Sequence, residues 1–348
     1  MNLSILIIEK IYKNKCKIFL SLFYLLKYQQ NILLMDFFTH SVFAGLLYIL
    51  FLKDVTFDYF FIALFFSVLP DLDIFLFPLK RIFKSNYLDH RGGSHSYIVG
   101  LIISAIFSIF FSIFRNRPFL IAWIIGSVFY GLHVSMDLLT TTKIPYLFPL
   151  SRKEYSFYIE KAGSSFTFIN SLIFLIILLV MYHNSAEISQ FISVINFYTY
   201  FYLFYYLYRI SSKIWINLHL KDNQKYFPGV FPFYFTIFEQ HITQEGLSLC
   251  IEKKSHFLTS KIIYKNESIL ESDEMKFFKK AIELCNKHYY YAKWTVLPIF
   301  IRENGLFSVR FFFLETMVHG RTHYIQYNFD TYTQQFVESN QGYGHITS

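Results

Sequence analysis

The sequence predicts an all-α polytopic membrane bundle of about six spans, followed by a small C-terminal α+β domain in the cytoplasm. Three observations support this fold class. The chain is 54% apolar and 16% charged, and that apolar share exceeds the roughly 45–50% of soluble domains. The apolar residues concentrate before residue 210, in runs that approach the length needed to cross a bilayer. Beyond about residue 212, charges become frequent and the apolar runs shorten.

These shifts in composition predict three parts. Residues 1–34 form an N-terminal extension, interfacial or poorly ordered, because polar residues such as Lys27 interrupt it and no small-residue cleavage site follows. Residues 35–211 form the membrane domain, and residues 212–348 form the soluble α+β domain. The elements predicted in the last part are strands at Ser255–Lys265, Phe307–Glu315 and Thr322–Asp330, and an amphipathic helix at Glu271–Tyr291.

The predicted spans are the apolar runs of the membrane domain, in order Phe38–Leu52, Phe57–Leu69 continuing to Leu76, Tyr97–Phe114, Phe119–Leu139, Phe166–Tyr182 and Phe191–Tyr208. The first two runs are short, so tilting or burial inside the bundle is expected. Lys and Arg are frequent after the second, fourth and last spans and absent from the connection at 183–190. Because cytoplasmic loops carry the positive excess, both termini are predicted to be cytoplasmic, with Arg115 and Arg117 as exceptions.

Charge and cysteine content exclude some classes of protein. The net charge of +8 is explained by basic loops beside anionic headgroups, so membrane lipid is the expected partner and nucleic acid is not. The three cysteines, Cys16, Cys250 and Cys285, are widely scattered and form no CxxC pair. That pattern argues against a disulfide framework or a thiolate zinc site and fits a reducing compartment.

Imidazoles and carboxylates recur at the ends of the predicted spans. They are Asp36, His40, Asp71, Asp73, His90, His95, His133 and Asp137. Two pairs are spaced i, i+4 and therefore share one helix face. The topology brings all of them to the same membrane depth, where ionisable groups are costly and mark functional sites. Imidazole and carboxylate together suit a borderline divalent metal such as zinc.

Two features near these groups bear on chemistry. Asp71 and Asp73 follow Pro70, which ends a helix, and two carboxylates so close repel unless a cation or a proton lies between them. One of them is therefore a candidate to bridge two metal ions. Arg91 lies in the flexible turn between the two following imidazoles, and its guanidinium is suited to clamp a phosphate through two hydrogen bonds.

Five motifs carry a family resemblance as a set. They are Met35-Asp36-Phe37-Phe38-Thr39-His40, Pro70-Asp71-Leu72-Asp73, His90-Arg91-Gly92 with Ser94-His95-Ser96, Gly131-Leu132-His133 with Asp137-Leu138-Leu139-Thr140, and Pro149-Leu150-Ser151. Over about residues 35–160 the chain resembles the YdjM-type membrane-bound metal-dependent hydrolases. That family is similar to the zinc-dependent phospholipase C and single-strand nuclease superfamily, which implies a helical metal cluster that cleaves phosphoester bonds.

The motifs and the resemblance together predict a metal-dependent hydrolase of the inner membrane. Its substrate would be a phosphoester, such as a lipid headgroup or a lipid-linked compound, at the cytoplasmic face. One to three zinc-like ions would be held by His40, Asp71, Asp73, His90, His95, His133 and Asp137. Asp73, or else Asp71, would act as general base, and Arg91 would hold the substrate phosphate.

Two other classes of protein stay open. A transporter would use the His and Asp groups as a relay, and it would place them near the bilayer midplane. A membrane anchor for a regulatory domain would have a purely structural metal site, which is coordinatively closed.

Overall fold

The computed structural model describes residues 37–52, 56–76, 91–242, 246–255, 261–287, 294–303, 305–317 and 321–346. The chain divides into two compact units. The helical unit comprises Met35–His241 with Leu249–Lys265, and the C-terminal unit includes Ile242–Ser248 with Asn266–Ser348. The predicted extension at 1–34 lies outside the described residues. The predicted domain boundary at residue 212 stays a prediction.

Six α-helices are described in the helical unit. They are α1 (Phe37–Leu52), α2 (Phe57–Val68), α3 (Tyr97–Arg115), α4 (Phe119–Leu139), α5 (Ser165–His183) and α6 (Ile188–Leu218). A 3₁₀ segment, Leu69–Leu76, continues directly from α2. Pro70 lies at this change, because its nitrogen cannot donate the hydrogen bond that would extend the α-helix. The chain therefore leaves α2 just before the two aspartates of the segment.

The predicted all-α bundle of about six spans is wrong. Among the described residues, three helices are long and apolar enough to cross a membrane, namely α3, α4 and α5. The 12 residues of α2 reach only about 18 Å at 1.5 Å per residue, well short of the hydrocarbon thickness, and α1 is also a shorter apolar helix. The apolar run that suggested a longer second span continues past the end of α2 into the 3₁₀ segment. The 31 residues of α6 suffice in length, but its tyrosine, serine and asparagine content lowers its hydropathy.

Helix α4 is the central helix of the unit. Its apolar window is 39% buried, against 17% for α3 and for α5. Small residues bring its neighbours close: Gly100, Ser104 and Ser108 are buried on α3, and a Cβ on Gly126 would lie 3.1 Å from the ring of Phe66 in α2. Small residues serve this purpose in membrane helices, where close backbone approach replaces the hydrophobic drive. The polar side chains of α4 are thereby enclosed on two sides.

The variant Gly100→Ala is expected to lower the free energy of unfolding by about 1–3 kcal/mol through overpacking. A Cβ at residue 100 would lie 2.2 Å from Cδ1 of Tyr130, so α3 must move away from α4. Gly45→Ala in α1 is the matched control, because a Cβ there meets nothing within 4 Å. We expect it to raise stability by up to about 1 kcal/mol through helix propensity. Unfolding in detergent measures both, and equal stabilities would contradict the packing argument.

The region after α6 contains two four-stranded antiparallel sheets. The first has the order β1 (Gln224–Pro228), β2 (Tyr234–Ile242), β3 (Gly246–Ser255) and β4 (Lys261–Ile269). The second has the order β5 (Val296–Glu303), β6 (Leu306–Phe313), β7 (Arg321–Asp330) and β8 (Phe336–His345). Helix α7, Ser272–Lys287, lies between them in sequence. The α+β character of this region is confirmed in part, with more strand than expected.

The individual elements predicted there have mixed outcomes. The predicted helix is present as α7, and the last two predicted strands are present as β6 and β7. The predicted strand Ser255–Lys265 is confirmed in part, because Lys261–Lys265 belong to β4 and Ser255 is the last residue of β3, while residues 256–260 lie outside the described residues. Helix α7 buries one face against the second sheet, where the ring of Phe277 stacks on that of Phe329 with centroids 5.2 Å apart.

His323 on β7 is expected to make the C-terminal unit less stable as the pH falls. Burial lowers the pKa of its imidazole from 6.5 to about 4. Between pH 6.5 and pH 4 this imidazole binds a proton more readily in the unfolded state than in the folded state. The free energy of unfolding therefore falls by up to about 3 kcal/mol as the pH drops from 6.5 towards 4.

Thermal unfolding at pH 7 and pH 4.5 measures this effect. The variant His323→Met should lose this part of the pH dependence, while His345→Gln, at an exposed position on β8, should keep it. An unchanged pH slope in His323→Met would mean that other groups cause the acid sensitivity.

Candidate metal site

Four buried side chains converge beside the central helix: Asp71, His95, His133 and Asp137. One potential ligand atom of each lies within 4.8 Å of the corresponding atoms of the other three. Helix α4 contributes His133 and Asp137, which are one turn apart on its buried face. The 3₁₀ segment contributes Asp71, and His95 directly precedes Ser96, the N-cap of α3. Three separate stretches of sequence therefore build one group.

Five of the six distances within this group are close to the ligand spacing of a tetrahedral ion. His95 Nε2 lies 3.5 Å from Asp71 Oδ1 and 3.1 Å from Asp137 Oδ2. His133 Nε2 lies 3.7 Å from each of the same two oxygens and 3.3 Å from His95 Nε2. A regular tetrahedron with edges of this size has its centre about 2.1 Å from each corner, the length of zinc bonds to nitrogen and oxygen. The group could therefore hold a metal ion.

The charges around the group favour a divalent cation. Asp71, Asp73 and Asp137 are buried carboxylates, and Arg91 is the buried cation beside them. With neutral imidazoles, these four residues leave two negative charges in excess. Among the described residues, the oxygens of Asp71 and Oδ2 of Asp137 have no hydrogen bond of good geometry, and close to them lie the imidazole nitrogens of His95 and His133. Buried charge without such partners is costly, and a bound cation would remove that cost.

The pKa values of His95 and Asp71, which lie outside the candidate spans, reflect the same excess of negative charge. Burial alone would lower the pKa of the His95 imidazole, but the surrounding carboxylates, Asp137 first, hold it well above its usual value. Burial alone would raise the pKa of the Asp71 carboxyl, but the neighbouring imidazoles, His133 first, keep it below its usual value. Without a metal, the group therefore retains a proton on His95, which a metal ion can displace.

Partners behind the two imidazoles orient their nitrogens. His133 Nδ1 lies 2.7 Å from the carbonyl oxygen of Ser67. Because a carbonyl only accepts, Nδ1 carries the proton and Nε2 presents its lone pair to the group. Behind His95, Asp73 Oδ2 lies 3.4 Å from Nδ1 and also accepts hydrogen bonds from Ser94 Oγ and the Arg91 backbone nitrogen. A carboxylate in this position fixes the ring and raises its basicity as a ligand.

The variant Asp73→Asn is expected to weaken metal affinity about 10–100-fold without abolishing binding. The reason is that Asp73 contacts His95 Nδ1, whereas His95 Nε2 faces the other three groups. Competition with a chelating indicator in detergent measures the affinity. Asp58→Asn is the control. Asp58 lies in the first turn of α2, at the opposite end of that helix from Asp71 and Asp73, and pairs with Arg117. Complete loss of metal from folded Asp73→Asn would instead make Asp73 a ligand.

The other predicted site residues have varied positions. His40 Nε2 lies 3.6 Å from Asp137 Oδ1, and its ring centroid is 4.0 Å from that of His133. Arg91 is buried, has a positive φ of 59° and donates from Nη2 to Asp137 Oδ1 at 3.1 Å. Its predicted role as a phosphate clamp stays a prediction. His90, like Asp36, lies outside the described residues, so its predicted role as a ligand also stays a prediction.

Sequence reasoning missed the groups that hold the turn before α3. The Tyr130 hydroxyl donates to the carbonyl oxygen of Ser94, and Ser96 Oγ donates to the carbonyl oxygen of Phe148 at 2.5 Å. Tyr130 precedes His133 by three residues, so it shares that face of α4, and this spacing was the available signal. The contact with Phe148 had no signal in the local sequence.

The fold and the site together define the class of protein. Three candidate spans and a buried group that could hold a metal ion describe an integral membrane protein with a candidate metal site. The chain belongs to the YdjM inner membrane protein family, whose sequence profile matches residues 35–214, more than half of the chain. The predicted family is confirmed, and the matched range contains all four residues of the site. No curated protein and no solved structure matches the chain.

Proposed function

We propose that this chain is a zinc-dependent hydrolase that cleaves a phosphoester of an amphiphilic substrate at the cytoplasmic face of the inner membrane. The observation that carries the proposal is the buried group of Asp71, His95, His133 and Asp137. Structural zinc sites are built mainly from thiolates, whereas catalytic sites use imidazoles with carboxylates. Two imidazoles at this spacing also favour zinc over calcium or magnesium, which prefer oxygen ligands.

A bound zinc ion would supply Lewis acidity, which polarises a phosphoryl oxygen and activates water for attack. The protein's own residues set up that chemistry. Asp73 orients His95, and Arg91 holds Oδ1 of Asp137, so that Oδ2 of Asp137 faces the two imidazoles. His40, beside the ring of His133, is placed to carry a proton to or from the reacting group. These contacts favour positioning roles for Asp73 and Arg91.

The position of the group along the helices supports a lipid-like substrate. Asp137 lies two residues before the end of α4, and His95 lies two residues before the start of α3. Both helices are candidate spans, and a group at the ends of two spans would lie at the depth of the phosphoesters of lipid headgroups. A substrate could then be cleaved without leaving the bilayer.

Loop charges support the cytoplasmic assignment of this end. The connection from α4 to α5 carries Lys143, Arg152, Lys153 and Lys161, whereas residues 184–187 between α5 and α6 carry no Lys or Arg. Positive residues concentrate in cytoplasmic loops. Arg115 and Arg117, at the opposite end, form ion pairs with Asp58 at 3.4 and 3.0 Å, which gives them a structural role there.

A structural metal site is the second candidate, and one observation favours it. Four protein groups are enough to complete a tetrahedron, and complete coordination by protein is typical of structural sites. The ion would then join α2, α3 and α4 without reacting. A transporter is less well supported, because the group lies at helix ends and not near the middle of a span.

Hydrolysis assays on the purified protein in lipid nanodiscs separate these candidates. The substrates are a chromogenic phosphodiester and phospholipids with labelled headgroups, tested after chelation and after zinc is restored. We expect zinc-dependent hydrolysis that is lost in Asp71→Asn and kept in Asp58→Asn. If folded, zinc-loaded protein hydrolyses none of these and chelation lowers only its melting temperature, the structural candidate is correct.

A further inference from the structure

We propose that the turn Gly229–Tyr234 between β1 and β2 is a membrane-surface anchor that binds anionic lipid. Its contact surface, the interfacial patch, consists of Phe157, Phe231 and Phe233. These three aromatic side chains would insert at the boundary between headgroups and acyl chains. The partner is the surface of the same bilayer that the helical unit crosses.

The depth of the patch follows from a chain of contacts that begins at the end of α4. The backbone nitrogens of Phe157 and Glu160 donate to the carbonyl oxygens of Leu138 and Leu139 at 2.7 and 2.9 Å. This return loop therefore lies against the last residues of a candidate span. Because that end of the span is at headgroup depth, Phe157 is at headgroup depth as well.

The same chain of contacts reaches the turn through α6. The Glu160 carboxylate pairs with Arg209, whose Nη2 donates to the carbonyl oxygen of Gly229 at 3.3 Å. The Tyr208 hydroxyl donates to the carbonyl oxygen of Pro232 at 3.4 Å. The turn is thus held beside α6 at the level of Glu160, within a few residues of the end of α4.

The aromatic side chains at this depth expose large apolar surfaces, which is unfavourable in water. Phe157 is 52% exposed, Phe231 46% and Phe233 50%, while Pro232 between the last two is buried. Aromatic rings are large apolar surfaces, and they are enriched where membrane proteins meet the headgroup layer. Insertion into that layer would remove this apolar surface from water.

The patch continues an exposed apolar face of α6. On α6, Tyr198, Tyr202 and Ile195 pack into a core with Phe174 of α5. The opposite side of α6 exposes apolar residues at alternating spacings of three and four: Phe197, Tyr200, Phe204 and Leu207. The turn accepts a hydrogen bond from Tyr208, the residue that follows Leu207. The exposed apolar side of α6 therefore leads to the turn that carries Phe231 and Phe233.

Basic residues near the patch match an anionic surface. Arg152 and Lys153 are exposed in the same connection as Phe157. Lys225 on β1 places its Nζ 4.9 Å from the ring centroid of Tyr158. Aromatic side chains flanked by Lys and Arg are the pattern of segments that lie on anionic membranes, where each basic residue adds attraction.

Photocrosslinking identifies the occupant of the patch directly. Benzoyl-phenylalanine is incorporated in place of Phe231, and separately of Phe233, in the full chain. Each protein is placed in nanodiscs of phosphatidylglycerol mixed with phosphatidylcholine, irradiated, and weighed intact by mass spectrometry. Phe110, which is 55% exposed on the candidate span α3, is the positive control. Tyr332, which is 86% exposed in the C-terminal unit, is the negative control.

We expect lipid adducts at Phe231 and Phe233 at a yield near that of Phe110 and at least about fivefold above Tyr332, with phosphatidylglycerol enriched. The double variant Arg152→Gln and Lys153→Gln should reduce that enrichment while leaving total lipid adduct similar. A covalent dimer in place of lipid adduct would assign the patch to a second copy and overturn the proposal. Yields equal to that of Tyr332 at both positions, in protein that elutes as folded, would also overturn it.

Discussion

His133→Ala is expected to reduce bound metal from about one ion per chain to nearly none, because it removes one of the four described groups that could ligate a single ion. His133 Nε2 lies within 3.7 Å of potential ligand atoms of Asp71, His95 and Asp137. Changes behind a ligand cost about 10–100-fold in affinity, so loss of the ligand itself should cost more. Elemental analysis of detergent-purified protein measures the metal content.

His183→Ala is the matched control for this experiment. It makes the same substitution at an exposed position at the far end of α5, so bound metal should be unchanged. Unfolding curves on both variants establish that the chain is folded. Unchanged metal content in folded His133→Ala would exclude this group as the metal site. In that case His40, His95 and the three aspartates would be a hydrogen-bonded cluster without an ion.

The variant Arg209→Met is expected to lower the free energy of unfolding by about 3–5 kcal/mol, the cost of leaving a buried charge without its partner. Arg209 and Glu160 are both buried, with Nε 3.3 Å from Oε2. The Tyr205 hydroxyl donates to the same carboxylate. Removal of Arg209 leaves Glu160 ionised in a dry site or forces it to take up a proton.

Two comparisons test this explanation in detergent titrated with a denaturing surfactant. Arg117→Met breaks a more exposed ion pair with Asp58, so it should cost at most about 1 kcal/mol. The double variant Arg209→Met with Glu160→Leu should recover most of the loss, because no unpaired charge then remains. If the double variant is as unstable as Arg209→Met alone, lost packing explains the effect and the buried charge does not.

The sequence predicted which site residues lie side by side where both belong to one helix. His133 and Asp137 are i, i+4 in a long apolar run, and the structure places both on the buried face of α4. The sequence did not predict that the side chains of Asp71 and Asp73 point in different directions. In a 3₁₀ segment each residue turns by about 120°, so residues two apart point in different directions. Asp71 consequently faces the group, while Asp73 lies behind His95.

The number of spans could not be read from composition for a related reason. Hydropathy reports how apolar a run is but not where a helix ends inside it. The run from Phe57 to Leu76 reads as one apolar segment, yet α2 ends at Val68 and a 3₁₀ segment follows. The pairing of buried Glu160 with Arg209 could not be predicted either, because Glu160 precedes α5 and Arg209 lies within α6, 49 residues later in the chain.

The sequence by itself determined the membrane class, the family and the residue types of the candidate site, because hydropathy and short motifs are properties of neighbouring residues. Only the tertiary structure decided which side chains meet and on which side of each imidazole a carboxylate lies. Those arrangements depend on contacts between distant segments: Ser67 with His133, Asp73 with His95, and Arg91 with Asp137. Local periodicity carries no information about such contacts, since they arise when α2, α3 and α4 pack together.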